Sequence, residues 1–282
     1  MEPASTLAAL HEFCAERLGA ELATHFMKLA RPGFALTIAA PGAETGHSRF
    51  GGRAMLEPGT PWPSCDGFPL SLVAVLDTDA LPREWLGDLL PDDTGLLNFF
   101  TLDTHSAQRD SAAFDVWEHR GLNSFDPDLG KVIAARSAHA APADPPDRSG
   151  VFTPVAWTAS PGFAFPNQTC DLALPYDLGP EAKLKRDMLM SGLYVANEFP
   201  DWEQRPGALD SEDLAFGWPD SLNSLVLPDG ADFHGYHHLL QLSPSSSYEW
   251  GLGADGVMHW SMPTEALRTG DFGRAIPTPD LA

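Results

Sequence analysis

The chain has 282 residues, 43% of them hydrophobic, with 25 glycines, 26 prolines and 39 acids against 17 bases, for a formal net charge of −22. Such a composition supports a sizeable core in one large domain or two modest ones, with many turns, and excludes a chain disordered by composition. The charge repels nucleic acid and anionic membranes. It either favours a cationic partner or serves solubility alone, and no apolar run approaches the roughly 18 residues of a membrane span.

Leu7, Leu10, Cys14, Leu18, Leu22 and Phe26 recur at three- and four-residue steps. They predict one amphipathic helix of about five turns over 4–28, capped by Ser5 or Thr6 and stopped by Arg31-Pro32-Gly33. Glu2, Glu12, Glu16 and Glu21 lie where a secretory signal carries basic residues, so no such signal is expected and the cytoplasm is the expected compartment. "FALTIAA" (34–40) reads as a strand. The loop after it carries Gly51-Gly52 and then Trp62 between Pro61 and Pro63. It reads as a rigid lead into "PLSLVAVLD" (69–77), a strand covered on both faces, with Trp62 plugging the edge of a core.

A short helical or turn segment (78–91), a strand at 94–103 and another at 131–138 follow. The proline-rich 139–150 reads as a flexible boundary. Extended chain resumes at 152–166, and "GPEAKLKRDMLMSGLYVANEF" (179–199) predicts the second substantial helix. A long loop (200–233) leads to strands at 237–245 and 256–263 and a last helix at 264–272. Cys14, Cys65 and Cys170 are odd in number and lack a C-x-x-C pair, which fits reduced, buried thiols.

Each end carries an apolar strand, a connector and a Gly-led strand with an aromatic: "LSLVAVLDTDAL … DDTGLLNFFTLD" and "HHLLQLSPSSS … GADGVMHWSMP". This pattern suggests an internal duplication. The expectation is an α+β fold in a single domain over 1–282. Its twisted, largely antiparallel sheet comes from two similar halves, about 30–138 and 150–276, with a few flanking helices.

"SRFGGRAMLEPGTPWP", "GFPLSLVAVLDTDAL", "GLLNFFTLD" and the C-terminal "HGYHHLLQLSPSSSYEWGLGADGVMHWSMPTEALRTGDFGRA" resemble the signature of the YwqG-like bacterial family, over roughly 47–276. The chain departs from that pattern at Val75-Leu76-Asp77 and Trp260-Ser261, which read as packing swaps. The resemblance implies an α+β fold and a domain of unknown function. Some members lie beside toxin genes, which implies an immunity role. It supplies no catalytic residues.

No catalytic motif stands out. Ser48 lacks the G-x-S-x-G spacing, and Arg49-Phe50-Gly51-Gly52 lacks the ending of a phosphate loop, so Arg49 is expected to pair with a carboxylate. His234, His237 and His238 read as loop-bonding histidines ahead of metal ligands; neighbours in a strand would face opposite sides. Trp62 and Trp250 read first as plugs of the core, whereas Trp202 and Trp218 stand open between core and binding. The candidate binding set is Trp202, Trp218, His234, His237 and Trp250, with no catalytic residue, cofactor or metal expected. The leading functional expectation is an acidic, immunity-type protein docking a basic partner. The alternative is a small-molecule or carbohydrate-binding protein, or an unrecognised enzyme, with a cleft between the halves.

Overall fold

The computed structural model describes residues 2–104, 109–120, 125–166, 204–209, 211–220, 235–244, 247–248, 250–251 and 256–280. Helix α1 (Pro3–Leu18) and helix α2 (Ala20–Met27) replace the single expected helix. Gly19, at φ 86, breaks the chain between them. The start also differs from expectation. Glu2 is the N-cap with Pro3 behind it, and the Ser5 and Thr6 hydroxyls donate to the Glu2 carbonyl instead of capping the helix. The apolar spacing was sound: Leu10, Cys14, Leu18, Leu22 and Phe26 all enter the main core.

The strands follow in order: β1 (Arg31–Ile38), β2 (Arg49–Phe50), β3 (Ala54–Leu56), β4 (Ser64–Cys65), β5 (Phe68–Pro69) and β6 (Ser71–Asp77). After helix α3 (Arg83–Leu86) come β7 (Leu96–Thr101), helix α4 (Ser111–His119), β8 (Gly130–Ala135), β9 (Ala141–Ala143) and β10 (Val155–Ala164). Then come β11 (Asp213–Phe216), β12 (Tyr236–Leu242), β13 (Val257–Pro263), helix α5 (Thr264–Thr269) and β14 (Ile276–Asp280). This is an α+β fold dominated by one ten-stranded sheet whose named strand pairs are all antiparallel. Arg31-Pro32-Gly33 opens β1 instead of merely ending a helix, and the expected flexible boundary at 139–150 contributes β9, paired with β3. The expected helix at 179–199 lies outside the described residues.

The sheet order is β14-β13-β12-β11-β1-β10-β2-β6-β7-β8. Exchange β1 with β10, β2 with β11, β6 with β12, β7 with β13 and β8 with β14, and the order reads the same from the other edge. The centre of that exchange is the Thr37–Thr158 pair, where β1 meets β10 and the two hydroxyls lie 2.9 Å apart.

Local irregularities follow the same exchange. A bulge interrupts β6–β7 at Val73 and another interrupts β12–β13 at Leu239. Gly51 and Gly52 end β2 at φ 60 and 79, and Phe216 and Gly217 end β11 at φ 59 and 75. Gly51 fits that left-handed geometry without cost, whereas Phe216, a bulky residue, adopts it under strain. The Ser48 hydroxyl accepts the Asp77 amide, and the Asp213 carboxylate accepts the Ser243 amide.

The main core lies on the inner face. There Phe99 of β7 and Trp260 of β13, which occupy exchanged positions, meet edge to face with centroids 5.4 Å apart. The outer edges also approach one another. A side chain on Gly130 of β8 would strike Pro277 of β14. Pro277 and Pro279 remove amide donors from that last strand, which suits an edge.

A second core covers the outer face of β6–β8. Met55, Leu56, Cys65 and Phe68, from the small β3–β9 and β4–β5 sheets and their turn, pack on Leu72, Val75, Phe100 and the neighbouring Leu70. Trp62 is half-buried here as expected, donating to the Leu70 carbonyl and meeting Phe100 edge to face. Asn98 is the polar centre of this layer. Its side chain accepts from the Met55 amide and donates to the Met55 and Ile133 carbonyls. Asn98→Ala leaves three backbone groups unpaired under the small sheet, so a loss of about 2–4 kcal/mol is expected. Urea unfolding checks it, as a lower midpoint at unchanged slope.

Candidate functional site: a buried polar face

The exchanged strands place the same positions in two chemical settings. Aligned on the bulges, Leu72 corresponds to His238, Val75 to Gln241, Asn98 to His259 and Phe100 to Ser261. Counting out from β7 and β13, Ile133 corresponds to Thr278 and Ala135 to Asp280. In the first set these side chains are apolar apart from Asn98. In the second, all six are polar and each is at most 2% exposed. Alternation along β13 explains the division. Met258, Trp260 and Met262 enter the main core, which sends His259 and Ser261 to the outer face.

The hydrogen bonds on this face are incomplete. The Gln241 amide is satisfied: its oxygen accepts the Asp220 amide and its nitrogen donates to the Glu212 carbonyl. His238 Nδ1 lies 3.3 Å from the Phe216 carbonyl oxygen, which can only accept. Nδ1 therefore carries the proton and Nε2 the lone pair. That Nε2, both ring nitrogens of His259 and the hydroxyls of Ser261 and Thr278 are buried without hydrogen-bond partners. His259 Nε2 stands 3.9 Å from Asp280 Oδ2, beyond hydrogen-bond reach, and Asp280 makes further interactions of its own. Burial, the largest cause for both, pushes His238 and His259 down to about 3. At neutral pH both rings are uncharged, so the His259–Asp280 approach is not an ion pair.

Of the residues singled out from sequence, Trp202 and His234 lie outside the described residues. Trp218 is buried after β11. Its indole donates to the Leu29 carbonyl and the Arg31 guanidinium sits 3.7 Å over its ring. Arg31 also donates to the Tyr236 carbonyl, and its charge helps burial to lower His237 to about 3. Arg31 therefore brings Trp218 and His237 together. Trp250 lies apart from them, in the main core.

His237 pairs in register with Met262 and His238 with Ser261, on opposite faces. Among the described residues no group of three or more His, Cys, Asp or Glu is placed to hold a metal ion. Arg49 corrects its expectation: it donates to the His47 and Arg53 carbonyls instead of a carboxylate. Nor is Gly51-Gly52 an anion cradle, because both amides are already bonded, to the Val73 and Phe152 carbonyls.

A second buried polar group lies on the inner side. Asp213 accepts from the Ser243 amide and the Tyr248 hydroxyl, and that hydroxyl accepts from the Trp157 indole. Burial, the largest cause, pushes Asp213 up to about 6 and raises Tyr248 out of the physiological range.

These shifts fix a pH dependence. The three histidines fall from 6.5 to about 3 on folding, so the unfolded chain binds their protons first and stability drains as pH falls from 6.5 towards 3. Asp213 rises from 3.8 to about 6 and opposes them: the folded state gains a proton between those values. Net loss of stability on acidification is expected, measured as a falling melting temperature between pH 6.5 and 4. His259→Asn should flatten that slope by about one proton.

No helix among the described residues is long and apolar enough to cross a membrane. No curated protein matches the chain. Residues 48–280 match the model of a domain of unknown function (DUF1963). That match takes in β2 to β14, with the outer faces of both β6–β8 and β12–β14, and leaves out β1; the chain belongs to this family.

Proposed function

We propose that the chain is a binding protein whose site is the outer polar face of β12–β14. The observation that carries this reading is chemical. The fold closes the same six positions of β6–β8 with hydrocarbon around one satisfied Asn98, whereas on β12–β14 it buries two neutral imidazoles and two hydroxyls with unpartnered atoms. An unsatisfied buried polar group costs on the order of 1–3 kcal/mol, so four residues that carry such groups on one face call for a reason, and a functional role is one that fits. The mirrored strand order, the paired bulges and the paired turns support an origin by duplication within a single domain, one copy having kept a structural outer face. The signature at both ends supports placing the chain in the YwqG-like branch.

The reading predicts that the polar face is held against stability. Thr278→Val and Ser261→Ala remove hydroxyls that have no partner, so each should raise the unfolding free energy by about 0.5–1 kcal/mol in the ligand-free protein. Denaturant midpoints decide the matter. A loss of 1 kcal/mol or more in both variants means that the hydroxyls hold the fold, and the reading fails.

A second reading, docking of a basic protein in an immunity-type role in the cytoplasm, has one observation in its favour. Many of the described cations are already engaged: Arg53 with Asp144, Arg83 with Asp92, Arg136 with Glu57, Arg148 with Asp110 and Arg268 with Asp88. Arg120 answers Asp66, Asp126 and Asp128 together, and Lys131 also pairs with Asp128. The surplus of acids over bases is thus left to act on whatever approaches. A partner recruited in this way should lose at least tenfold in affinity when salt rises from about 0.05 to 0.5 M. Affinity that does not respond to salt removes this reading.

A further inference from the structure

The two edges of the ten-stranded sheet are not protected alike. On β14, Pro277 and Pro279 carry no amide hydrogen, whereas β8 contains no proline. The edges touch where Gly130 meets Pro277. Further along β8 they part. At Ala134 and Ala135 the residues across the seam are instead Thr269, Gly270 and Phe272, from the end of α5 and the segment that leads to β14. A cavity of about 270 Å³ lies between the two sides. It is larger than the roughly 150 Å³ that admits a benzene ring, and Ala134 in its wall is only half-buried.

The ladder decides which backbone groups face this space. The Leu102 amide donates to the Leu129 carbonyl, and the register continues unbroken from Thr101–Gly130 to Leu96–Ala135. Lys131, Ile133 and Ala135 therefore turn their amides and carbonyls towards β7, and Ala134 turns its own away, to the cavity side. Among the described residues Ala134 makes no backbone hydrogen bond across the seam. An outward donor and acceptor beside an open space are what an extended segment uses to join a sheet edge.

The charge of the wall selects the segment. Arg136 is engaged by Glu57, whose two carboxylate oxygens accept from its Nε and Nη2. Asp92 is paired with Arg83. Asp93, in the cavity wall with Glu57 and Arg136, has no hydrogen bond or ion pair among the described residues. The uncompensated charge at the seam is thus negative, in keeping with the chain as a whole, and a lysine or arginine on the entering segment answers it. Pro91 and Phe272 offer apolar surface to the stem of such a side chain.

Resting on the reading of a basic protein partner, and independent of the outer polar face, we propose that the open edge of β8 at Ala134 docks an extended segment of that partner. The segment's backbone bonds to Ala134 and its lysine or arginine faces Asp93.

The test is titration of the full chain, labelled on its backbone nitrogens, with three capped pentapeptides. They are Thr-Val-Lys-Val-Thr, its counterpart with Glu in place of Lys, and the lysine form methylated on its backbone amides. The lysine peptide is expected to shift the Ala134 amide resonance saturably and to slow its hydrogen exchange at least tenfold at saturation. The other two are expected to bind at least tenfold more weakly. Asp93→Asn, a change at an exposed side chain, is expected to weaken the lysine peptide at least threefold with the melting temperature unchanged. Ala134→Pro removes the outward amide without taking a bond from the β7 ladder and is expected to weaken it at least tenfold. If that variant does not fold, Asp93→Asn decides. Saturable shifts that spare Ala134 overturn this site and leave a basic partner standing. Equal affinity for the lysine and glutamate peptides, or an Asp93→Asn variant that binds as the parent does, overturns the choice of a cationic segment. No saturable shift with any of the three overturns the site, and the reading of a basic partner then rests on its salt dependence alone.

Discussion

The antiparallel pairing of β1 with β10 carries the rest of the molecule. Eight consecutive residues of β1, Arg31 to Ile38, run against Ala164 to Trp157 in unbroken register. Each strand takes its other neighbour from the far set: β1 pairs with β11 and β10 with β2. Neither β6–β8 nor β12–β14 therefore hangs from its own preceding long strand. The sheet exists only once the two long strands have been exchanged, which makes the Thr37–Thr158 contact the axis for everything outside it. Inside, the same arrangement sets Phe99 against Trp260 and gathers residues from nearly every strand of the sheet into one core.

That common frame lets the two outer faces be compared as one experiment with two outcomes. On β6–β8 the positions are filled by Leu72, Val75, Phe100 and Ile133, under a cover of Met55, Phe68 and Trp62. On β12–β14 the frame is unchanged but the groups are His238, Gln241, Ser261 and Thr278. Gln241 and Asn98 show how the fold treats a buried amide it needs for structure: every bond is made to backbone. The imidazoles and hydroxyls between them are not treated so. The contrast within one chain sets buried amides whose bonds are all made beside buried imidazoles and hydroxyls whose bonds are not.

Much of the fold was legible in the sequence because β6 and β7 are buried on both faces. "SLVAVLD" and "LLNFFT" have no exposed position, so continuous hydrophobicity marked them. Strands β11 and β14 were missed for opposite reasons. "DLAF" is four residues in a polar stretch, and its pairing is decided by β1, far away in sequence. "IPTPD" carries two prolines, which argue against a strand except at an edge, where it lies. Of the outer polar face, His238 was noticed, as a loop-bonding histidine, but His259, Thr278 and Asp280 were not; His237 lies on the opposite face. Trp260-Ser261 was read as a packing swap, true of the inward Trp260 and not of the outward Ser261. The usable signal was the two strand pairs aligned on their bulges, which sets Asn98 beside His259 and Phe100 beside Ser261.

The exchange of β1 and β10 also governs how the chain must be made. Synthesis proceeds from the N-terminus, so β1 emerges long before Val155 and Asp213 open the strands that will flank it. Until then Phe34 and Leu36, destined for the core, lack both of the strands that will flank them. Hydrogen bonding of the central ribbon is thus deferred until most of the polypeptide has left the ribosome, and contacts of such long sequence separation form slowly. Over that interval both edges of β1 stand open, and the apolar stripe of α1 and α2, which ends in the same core, precedes β1 in the chain.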